Sequence, residues 1–310
     1  MAKVQARRDV PARRAELAAY AALVLCVALW GMIFIATAKL LPAIDAVQII
    51  SLRFVLVAAG CIPILLLAPA VRPQLTRREL ALIGVCGVLA VPGSQYTIAE
   101  AQNYLAPPLA ALIVTFSPAI TAVFAAVFLR TRLGALETAG FVVALAGVAL
   151  VLLTGSGTGS GSNHASAGGA AIALISPLTW AAYTMLVARL AGRHPPIGVV
   201  CLVLIAGGVA LLPTYPHALA GLDALDAELW GWLVGLALLG TIVPNVLWLL
   251  GLRRLPVHRT NAFAYLIPVF ATIWTALILG SGPGPAALGG GALVIAGVFL
   301  TQRERARAPA

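Results

Sequence analysis

The segment ALWGMIFIATAKL (28–40) closes the first apolar stretch of the chain, and its counterpart LTWAAYTMLVARL (178–190) lies 150 residues further on. At this shift Trp30 aligns with Trp180, and the basic residue and the leucine that end each segment also coincide. Self-similarity at one fixed spacing is the signature of an internal repeat. The chain is therefore predicted to fold as two related halves.

Further landmarks coincide at the same shift without a gap. Pro118 aligns with Pro268, and the tripeptide AGV at 146–148 aligns with AGV at 296–298. In so apolar a chain, chance often aligns alanine and leucine, but it rarely aligns tryptophan, proline and a Gly-Val pair at one spacing. The repeat therefore covers most of both halves.

A glycine-rich stretch, TGSGTGSGSNHASAGG (154–169), separates the two halves. Glycine-rich loops that open a helix can bind phosphate. Here no βαβ pattern and no GxxxxGK[ST] motif surrounds the loop, and it contains no lysine or arginine. Its Gly/Ser composition indicates a flexible tether.

The composition places the chain in a membrane. Hydrophobic residues make up 61% of it and charged residues only 10%, whereas a soluble domain has about 25% charged residues. A helix needs about 20 apolar residues to cross a bilayer. Ten runs approach this length: 17–39, 45–68, 78–100, 107–129, 133–154, 168–188, 196–213, 229–252, 258–280 and 285–302. We predict an all-α integral membrane protein with ten transmembrane helices, five in each half.

The charges predict how these helices are oriented. With the N-terminus inside, 18 of the 20 basic residues fall on one side of the membrane, while the acidic stretch GLDALDAE (221–228) falls on the other. Basic residues concentrate on cytoplasmic loops, so both termini are predicted to be cytoplasmic. The net charge of +10 is thus a topology signal, and nucleic acid is not an expected partner.

Five spans per half is an odd number, so the second half enters the membrane from the opposite side. The predicted organisation is a cytoplasmic tail, a first repeat, a periplasmic linker, a second repeat and a cytoplasmic tail: 1–16, 17–154, 155–167, 168–302 and 303–310. Inverted repeats recur in secondary transporters, which bind substrate near the midplane between the repeats.

Helix-breaking residues interrupt four spans, two in each half: Pro92, Gly93, Pro118, Gly240, Pro244 and Pro268. Proline removes a backbone donor and displaces a carbonyl group. Within a bilayer this is tolerated where protein or a wet cavity satisfies the freed groups. Prolines are also common in membrane helices, but the symmetric set favours kinks around a central cavity.

Several motifs resemble the EamA repeat. They are ALWGMIFIATAKL, the LRF of 52–54 after Pro42, SPAITAVF with IPVFATIW, and GFVVALAGVALV with GGGALVIAGVFL. The resemblance covers roughly 17–154 and 168–302 and places the chain with the ten-span members of the drug/metabolite transporter superfamily. It implies a bacterial inner-membrane carrier, usually an exporter of amino acids or related metabolites. Within the family, the chain is most similar to the YddG-type aromatic amino-acid exporters.

The chain departs from the family pattern in its carboxylates. Many EamA repeats have a Leu-Gly-Glu turn after the fourth helix, whereas here Thr131 and Ser281 occupy the glutamate positions. Small multidrug carriers of the superfamily use a first-span glutamate for proton exchange, and the first span here contains no acid. Proton-coupled drug antiport by that route is therefore disfavoured.

Amide and aromatic side chains near the helix breaks are the candidate substrate-cavity residues: Trp30, Gln95, Tyr96, Trp180, Tyr183, Asn245, Trp248, Asn261 and Tyr265. A small zwitterion with an apolar side chain needs hydrogen bonds at one end and apolar walls around the rest. Packing or an interfacial aromatic belt is the alternative for the aromatic residues.

Two ionisable residues are the candidate charge partners. Arg53 lies inside the second span, where it could pair with a substrate carboxylate, brace Glu100, or snorkel to the interface. Glu100 lies near the membrane edge, where solvation is the alternative to such a pair.

A secondary transporter of amino acids or metabolites is the main functional prediction, with the substrate and the lipid bilayer as partners. A flippase or exporter of amphiphilic drugs or lipids is the alternative. Neither a catalytic motif nor a metal-binding pattern is present, so no enzyme, cofactor or metal is predicted. The spans are too apolar for a channel. The oligomeric state stays open and is compatible with a monomer.

Overall fold

The computed structural model describes residues 2–128, 167–255, 260, 263–280 and 284–305, with scattered positions between 135 and 150. Every regular element in this part of the chain is helical, which confirms the predicted class. The helices are α1 Ala2–Leu40, α2 Ala46–Leu67, α3 Arg77–Ala101, α4 Pro107–Val114, α5 Ser117–Phe128, α6 Ala167–Ala191, α7 Pro196–Ala210, α8 Ala227–Arg254, α9 Ile267–Leu279 and α10 Pro285–Arg305. Residues 154–166 of the predicted tether, and the fifth span except for scattered positions, lie outside the described residues, while Ala167, Gly168 and Gly169 already belong to α6.

Five of these helices are long and apolar enough to cross a membrane: α2, α3, α6, α8 and the part of α1 from Leu17 to Leu40. The last has 24 residues, or about 36 Å at 1.5 Å per residue, against a hydrocarbon core of about 30 Å. Large apolar side chains such as Leu25 and Leu67 are exposed on the outer surface, as lipid contact requires.

The seventh predicted span ends earlier than the sequence indicates. Helix α7 stops at Ala210, and the chain bends by 50° into a further helical stretch, Leu212–Leu219. The two pieces are a sixth candidate span if they are taken together. Shorter apolar helices occupy the fourth, ninth and tenth predicted spans, as Pro107–Thr121, Phe263–Leu279 and Leu288–Gly297.

Helix α2 begins in a capping box. The Asp45 side chain accepts from the Gln48 backbone N–H at 2.8 Å, and Gln48 Oε1 accepts in return from the Asp45 backbone at 3.0 Å. Asp45 also lies 2.6 Å from His217 Nε2. Partial burial acts to raise the pKa of Asp45, but the hydrogen bonds from Gln48 and His217 outweigh it, so the pKa lies below its usual value. This contact fixes the chain between α1 and α2 against the helix Tyr215–Leu219.

Helix packing follows the sequence repeat. Helix α1 packs against α8 and α9, and α6, its counterpart in the second half, packs against α3, α4 and α5. In the same way α7 packs on α3, while α2 packs on α8. Each pair of contacts is related by the 150-residue shift, so the halves interlock instead of forming separate bundles.

Two predicted breaks are π-helical turns at equivalent places. Leu89–Tyr96 interrupts α3 and contains Pro92 and Gly93, while Leu238–Ile242 interrupts α8 and contains Gly240. A π-turn widens the helix locally and is frequent at functional sites. The breaks predicted for the third and eighth spans therefore lie at matching positions of the two halves.

The prolines of the fourth and ninth spans have a different role from the predicted mid-helix kink. Pro118 and Pro268 are each the second residue of a helix, α5 and α9 respectively. A turn precedes α5, and the 3₁₀ turn Phe263–Leu266 precedes α9. First-turn N–H groups have no partner inside their own helix, so proline is tolerated there without loss of a hydrogen bond.

Candidate functional site

A cavity of about 700 Å³, including its open mouth, lies where the two halves meet. Both halves contribute to its lining, which consists of Trp30, Ile33, Phe34, Thr37, Arg53, Ser94, Gln95, Ile98, Ala99, Gln102, Val114, Ser117, Ser176, Trp180, Asn245, Ala264 and Ile267. Most of the lining surface is apolar, although eight of the seventeen lining residues are polar or charged.

The pseudo-symmetry axis passes through this cavity. Trp30 and Trp180 are equivalent in the repeat, and their rings meet edge to face with centroids 5.3 Å apart. A residue touches its own symmetry equivalent only where the axis runs between the two. The two tryptophans therefore mark the centre of the molecule.

A second pair of contacts obeys the same symmetry. The Ser94 and Ser176 hydroxyls lie 3.0 Å apart, joining α3 to α6. Their equivalents are Pro244 and Cys26, and the Cys26 thiol donates to the Pro244 carbonyl oxygen at 3.2 Å, joining α8 to α1. These two equivalent hydrogen bonds therefore join the halves at the depth of the cavity.

Arg53 is the cationic group of the cavity wall. Its side chain is only 2% exposed, although a charged group within a bilayer costs about 2.5–3.5 kcal/mol on insertion scales. Nε donates to Thr241 Oγ1 at 2.6 Å and Nη2 donates to the Gly240 carbonyl at 3.4 Å. Among the described residues, no carboxylate lies within ion-pair distance and nothing hydrogen-bonds Nη1.

The helix break in α8 explains where Arg53 binds. Pro244 has no N–H to donate to the Gly240 carbonyl four residues earlier, and Arg53 contacts this oxygen. The Asn245 side chain donates to the Thr241 carbonyl at 2.8 Å, and Thr241 Oγ1 donates to Leu236 at 2.8 Å. The groups freed by the break thus hold the guanidinium in place.

Gln95 in α3, and Gln102 directly after this helix, bring unpaired polar atoms to the cavity. Gln95 Oε1 and both polar side-chain atoms of Gln102 are buried without a hydrogen-bond partner among the described residues. Buried polar groups are nearly always satisfied by protein or by a bound molecule. These amides are therefore suited to a polar ligand. The described residues contain no cluster of His, Cys, Asp or Glu that could hold a metal ion.

The other predicted site residues lie around the cavity without lining it. Trp248 and Tyr183 are buried behind the tryptophans, 5.0 Å from the Trp30 ring and 4.9 Å from the Trp180 ring respectively. Tyr96 and Tyr265 are half-buried in the flanking apolar clusters. Asn261 lies outside the described residues.

Glu100 is half-buried at the end of α3. It forms no ion pair with Arg53, because Arg53 turns towards α8. The predicted brace between these two side chains is therefore absent from this structure.

Sequence reasoning missed Gln102, the serine pair and Thr37. Gln102 lies two residues beyond the third predicted span, 78–100. It nonetheless lies seven residues after Gln95, with Ile98 and Ala99 at intermediate helical spacing. Positions i, i+3, i+4 and i+7 share one helix face, so this spacing was the available signal.

An all-helical chain with several membrane-length helices around a central cavity is a multi-pass membrane protein. The chain belongs to the EamA-like transporter family, which matches it at residues 17–153 and 167–303. The resemblance drawn from the repeated motifs is thereby confirmed.

Named relatives are transporters. A "Probable terminal-alkyne amino-acid exporter" of Streptantibioticus cattleyicolor is 30% identical over 73% of this chain and 74% of its own length. An "Uncharacterized transporter" of Archaeoglobus fulgidus is 23% identical over 91% and 98%. A "Probable amino-acid metabolite efflux pump" of Salmonella typhimurium is 24% identical over 89% and 92%.

A crystal structure with 20% sequence identity matches 94% of this chain and 99% of the other with a TM-score of 0.66. At this identity the match supports the fold alone.

Proposed function

We propose that the protein is a secondary transporter that exports amino acids with aromatic or hydrophobic side chains, or related small metabolites. It works by alternating access in the bacterial inner membrane, with both termini cytoplasmic. Its ten spans form two inverted five-helix repeats joined by the 155–167 linker. The names of two relatives, an amino-acid exporter and an amino-acid metabolite efflux pump, support this substrate class.

The main support for the proposal is the environment of the Arg53 guanidinium group. A buried guanidinium that faces a cavity without a carboxylate partner is costly, unless the missing anion belongs to the substrate. Nε and Nη2 are held by α8, which leaves Nη1 for a ligand. The α-carboxylate of an amino acid supplies the anion that this nitrogen lacks.

The rest of the cavity suits the remainder of an amino acid. Gln95 Oε1 and Gln102 Oε1 are unpaired acceptors, and an ammonium group supplies donors for them. Trp30, Trp180 and Phe34 provide an apolar wall for the side chain. Export then requires the halves to move about the breaks in the third, fourth, eighth and ninth spans, so that this one site faces each side in turn.

Reconstitution in liposomes tests the proposal. Uptake of a labelled amino-acid panel, with and without a pH gradient, identifies the substrate and its coupling together. Competition by each amino acid and by its uncharged carboxamide then tests the role of the carboxylate. We expect the amino acid to compete and the carboxamide to fail.

Substitution of Arg53 gives the decisive comparison. A hydrogen bond to a charged group contributes about 1.5–3 kcal/mol, so Arg53→Gln should raise KM roughly 10- to 150-fold and abolish discrimination against the carboxamide. Arg53→Lys preserves the charge and should retain part of that discrimination. If Arg53→Gln transports amino acids with an unchanged KM, the assignment of the carboxylate is wrong.

The largely apolar lining also suits an amphiphile, so lipid or drug export is the second candidate. Fluorescent lipid scrambling and dye efflux in the same liposomes distinguish the two. Movement of lipid or dye, combined with no uptake across the amino-acid panel, would favour this second function.

A further inference from the structure

The cavity lies mostly to one side of the pseudo-symmetry axis. From the Trp30–Trp180 contact it extends along the second halves of α1 and α3, where Phe34, Thr37, Ile98 and Gln102 line it. Helices α1 and α3 both end on the same side of the molecule, at Leu40 and Ala101. The predicted topology places that side outside the cell. The open space is therefore asymmetric within a pseudo-symmetric protein.

The equivalent region in the second half is filled. The 150-residue shift carries Phe34, Thr37 and Ile98 onto Thr184, Val187 and Trp248. These three residues are 1%, 0% and 1% exposed, and they lie on the second halves of α6 and α8. Phe34, Thr37 and Ile98 are themselves only 5%, 2% and 8% exposed, but they line the cavity, whereas their three equivalents do not.

Two of these packed residues carry polar atoms that the packing does not use. Thr184 Oγ1 and Trp248 Nε1 are buried without a hydrogen-bond partner among the described residues. An unsatisfied buried donor costs about as much as a lost hydrogen bond. Valine and phenylalanine would fill the same space without that cost, so close packing alone does not account for these side chains.

Four other helical threonines among the described residues satisfy their hydroxyl groups locally. Thr97, Thr121, Thr179 and Thr275 each donate to the carbonyl oxygen four residues earlier, at 2.6–2.9 Å. Thr184 forms no such bond, although it lies within the regular helix α6. Its hydroxyl group is oriented for a partner that is absent from this arrangement of the helices.

We propose that Thr184, Val187 and Trp248 line the substrate path in the opposite-facing state, where they exchange roles with Phe34, Thr37 and Ile98. In that state water and substrate reach the threonine hydroxyl and the indole N–H from the cytoplasmic side. The outer residues then pack as the inner ones do here. This inference rests on the alternating access of the proposed function, and it adds the residues of the second access route.

Thiol labelling tests the proposal without knowledge of the substrate. The four native cysteines, Cys26, Cys61, Cys86 and Cys201, are all buried and free, so they are first replaced by serine or alanine. Single cysteines are then introduced as Thr184→Cys and Thr37→Cys. A membrane-impermeant maleimide is applied to right-side-out and to inside-out vesicles.

The matched control is a protein that retains only native Cys201. This thiol is 0% exposed, and its equivalent, Ser51, is also 0% exposed and does not line the cavity. The labelling rate of Cys201 therefore measures how fast a buried thiol reacts through non-specific opening of the protein core. It requires no new side chain, so overpacking does not complicate the comparison.

We expect the opposite-facing state to expose position 184 and to leave Cys201 buried. Such a minor conformational state is typically populated at about 0.1–10%, so Thr184→Cys should react in inside-out vesicles at least roughly tenfold faster than Cys201. Thr37→Cys should react in right-side-out vesicles. In the double variant, a bulky adduct at position 184 should hold the inner side open and slow labelling at position 37, since coupling between sites is reciprocal.

Labelling of Thr184→Cys no faster than Cys201 in either vesicle type would overturn the proposal. Labelling at both positions from the same face would overturn it as well. Neither readout uses an amino acid, so failure of the substrate assignment would appear only in the uptake assay.

Discussion

At the scale of single residues, the position of Arg53 depends on the break in α8. Thr241 accepts from the guanidinium at 2.6 Å, and Pro244 leaves the Gly240 carbonyl free for it. A hydroxyl and a carbonyl do not neutralise the cation. They do satisfy two of its nitrogens and aim the third at the cavity, as expected of a side chain prepared for an anionic ligand.

Thr241→Val tests this positioning role. Valine keeps the shape of the 0% exposed side chain but removes the acceptor of the Arg53 Nε bond. We expect KM for the transported amino acid to rise severalfold, and the free energy of unfolding to fall by about 1–3 kcal/mol, since a buried donor loses its partner. Uptake kinetics and thermal unfolding in detergent measure the two effects.

The matched control is Thr275→Val. Thr275 is also a buried threonine whose hydroxyl donates to a helix carbonyl, at 2.7 Å, and it does not line the cavity. It should lose stability without a change in KM. Equal KM values in both variants would show that Thr241 has no positioning role.

The sequence predicted some residues of the candidate site but not others. Trp30 and Trp180 were predictable because the repeat aligns them. Arg53 was predictable because a charged side chain within a membrane span is energetically costly. The partners of Arg53 were not predictable, because Thr241 lies 188 residues away. Glu100, much nearer in sequence, was the natural guess. Only the packing of α2 against α8 brings the true partner into reach.

At the scale of elements, small residues set how closely α3 and α7 approach. A Cβ atom on Gly87 would lie 2.6 Å from the Gly207 backbone nitrogen, and one on Gly207 would lie 2.2 Å from Val91 Cγ2. Glycine permits close helix contact in a membrane, where packing drives association. The contact joins the third helix of one half to the second helix of the other.

Gly87→Ala should separate these helices and destabilise the protein, because its nearest neighbour is backbone that cannot rotate away. A fall of several degrees in melting temperature, with partial aggregation in size-exclusion chromatography, is the expected result. Gly84→Ala, three residues earlier on the same helix, meets nothing within 4 Å. It should be neutral or slightly stabilising, since alanine favours helix by about 1 kcal/mol over glycine. Equal melting temperatures for the two variants would contradict this account.

The element breaks were predictable in position but not in form. Pro92, Gly93 and Gly240 were identified from composition, and the π-turns occur there. The sequence does not distinguish a π-turn from a kink, because both accommodate the backbone N–H group that a proline lacks. Pro118 and Pro268 begin helices instead, because a turn of chain before each proline lets a first-turn position absorb the missing N–H.

At the scale of the whole molecule, the symmetry is built across the two halves. Helix α1 packs on α8 and α9, and α6 packs on α3, α4 and α5. One buried cluster draws its residues from α1, α3, α4, α6, α8 and α9. Neither half can bury these faces alone. The cavity likewise needs Arg53 from one half, and Trp180 and Asn245 from the other.

The repeat in the sequence predicted that two halves would meet around a site, but not which side would be open. A sequence repeat predicts that the two halves have equivalent structures. A cavity that opens to one side requires the two halves to pack differently at any one moment. Thr184 and Trp248 are packed away from the cavity, whereas their equivalents Phe34 and Ile98 line it, and this difference arises from packing that both halves share. No local pattern in the sequence encodes that difference.

Division of the chain within the linker tests this interlocking. We expect separate fragments 1–160 and 161–310 to restore amino-acid uptake when they are produced together, because the interface between the halves is extensive and we propose that the Gly/Ser stretch serves only as a tether. Each fragment alone should give no uptake, since it lacks half of the cavity wall and leaves the inner faces of α1 or α6 uncovered. Copurification of the fragments and uptake in liposomes, against the intact chain at equal protein, measure the outcome. Uptake by one fragment alone would mean that a half can pair with its own copy, and the two halves would then not be the unit of function. If the paired fragments copurify but do not transport, the linker itself contributes to the transport cycle.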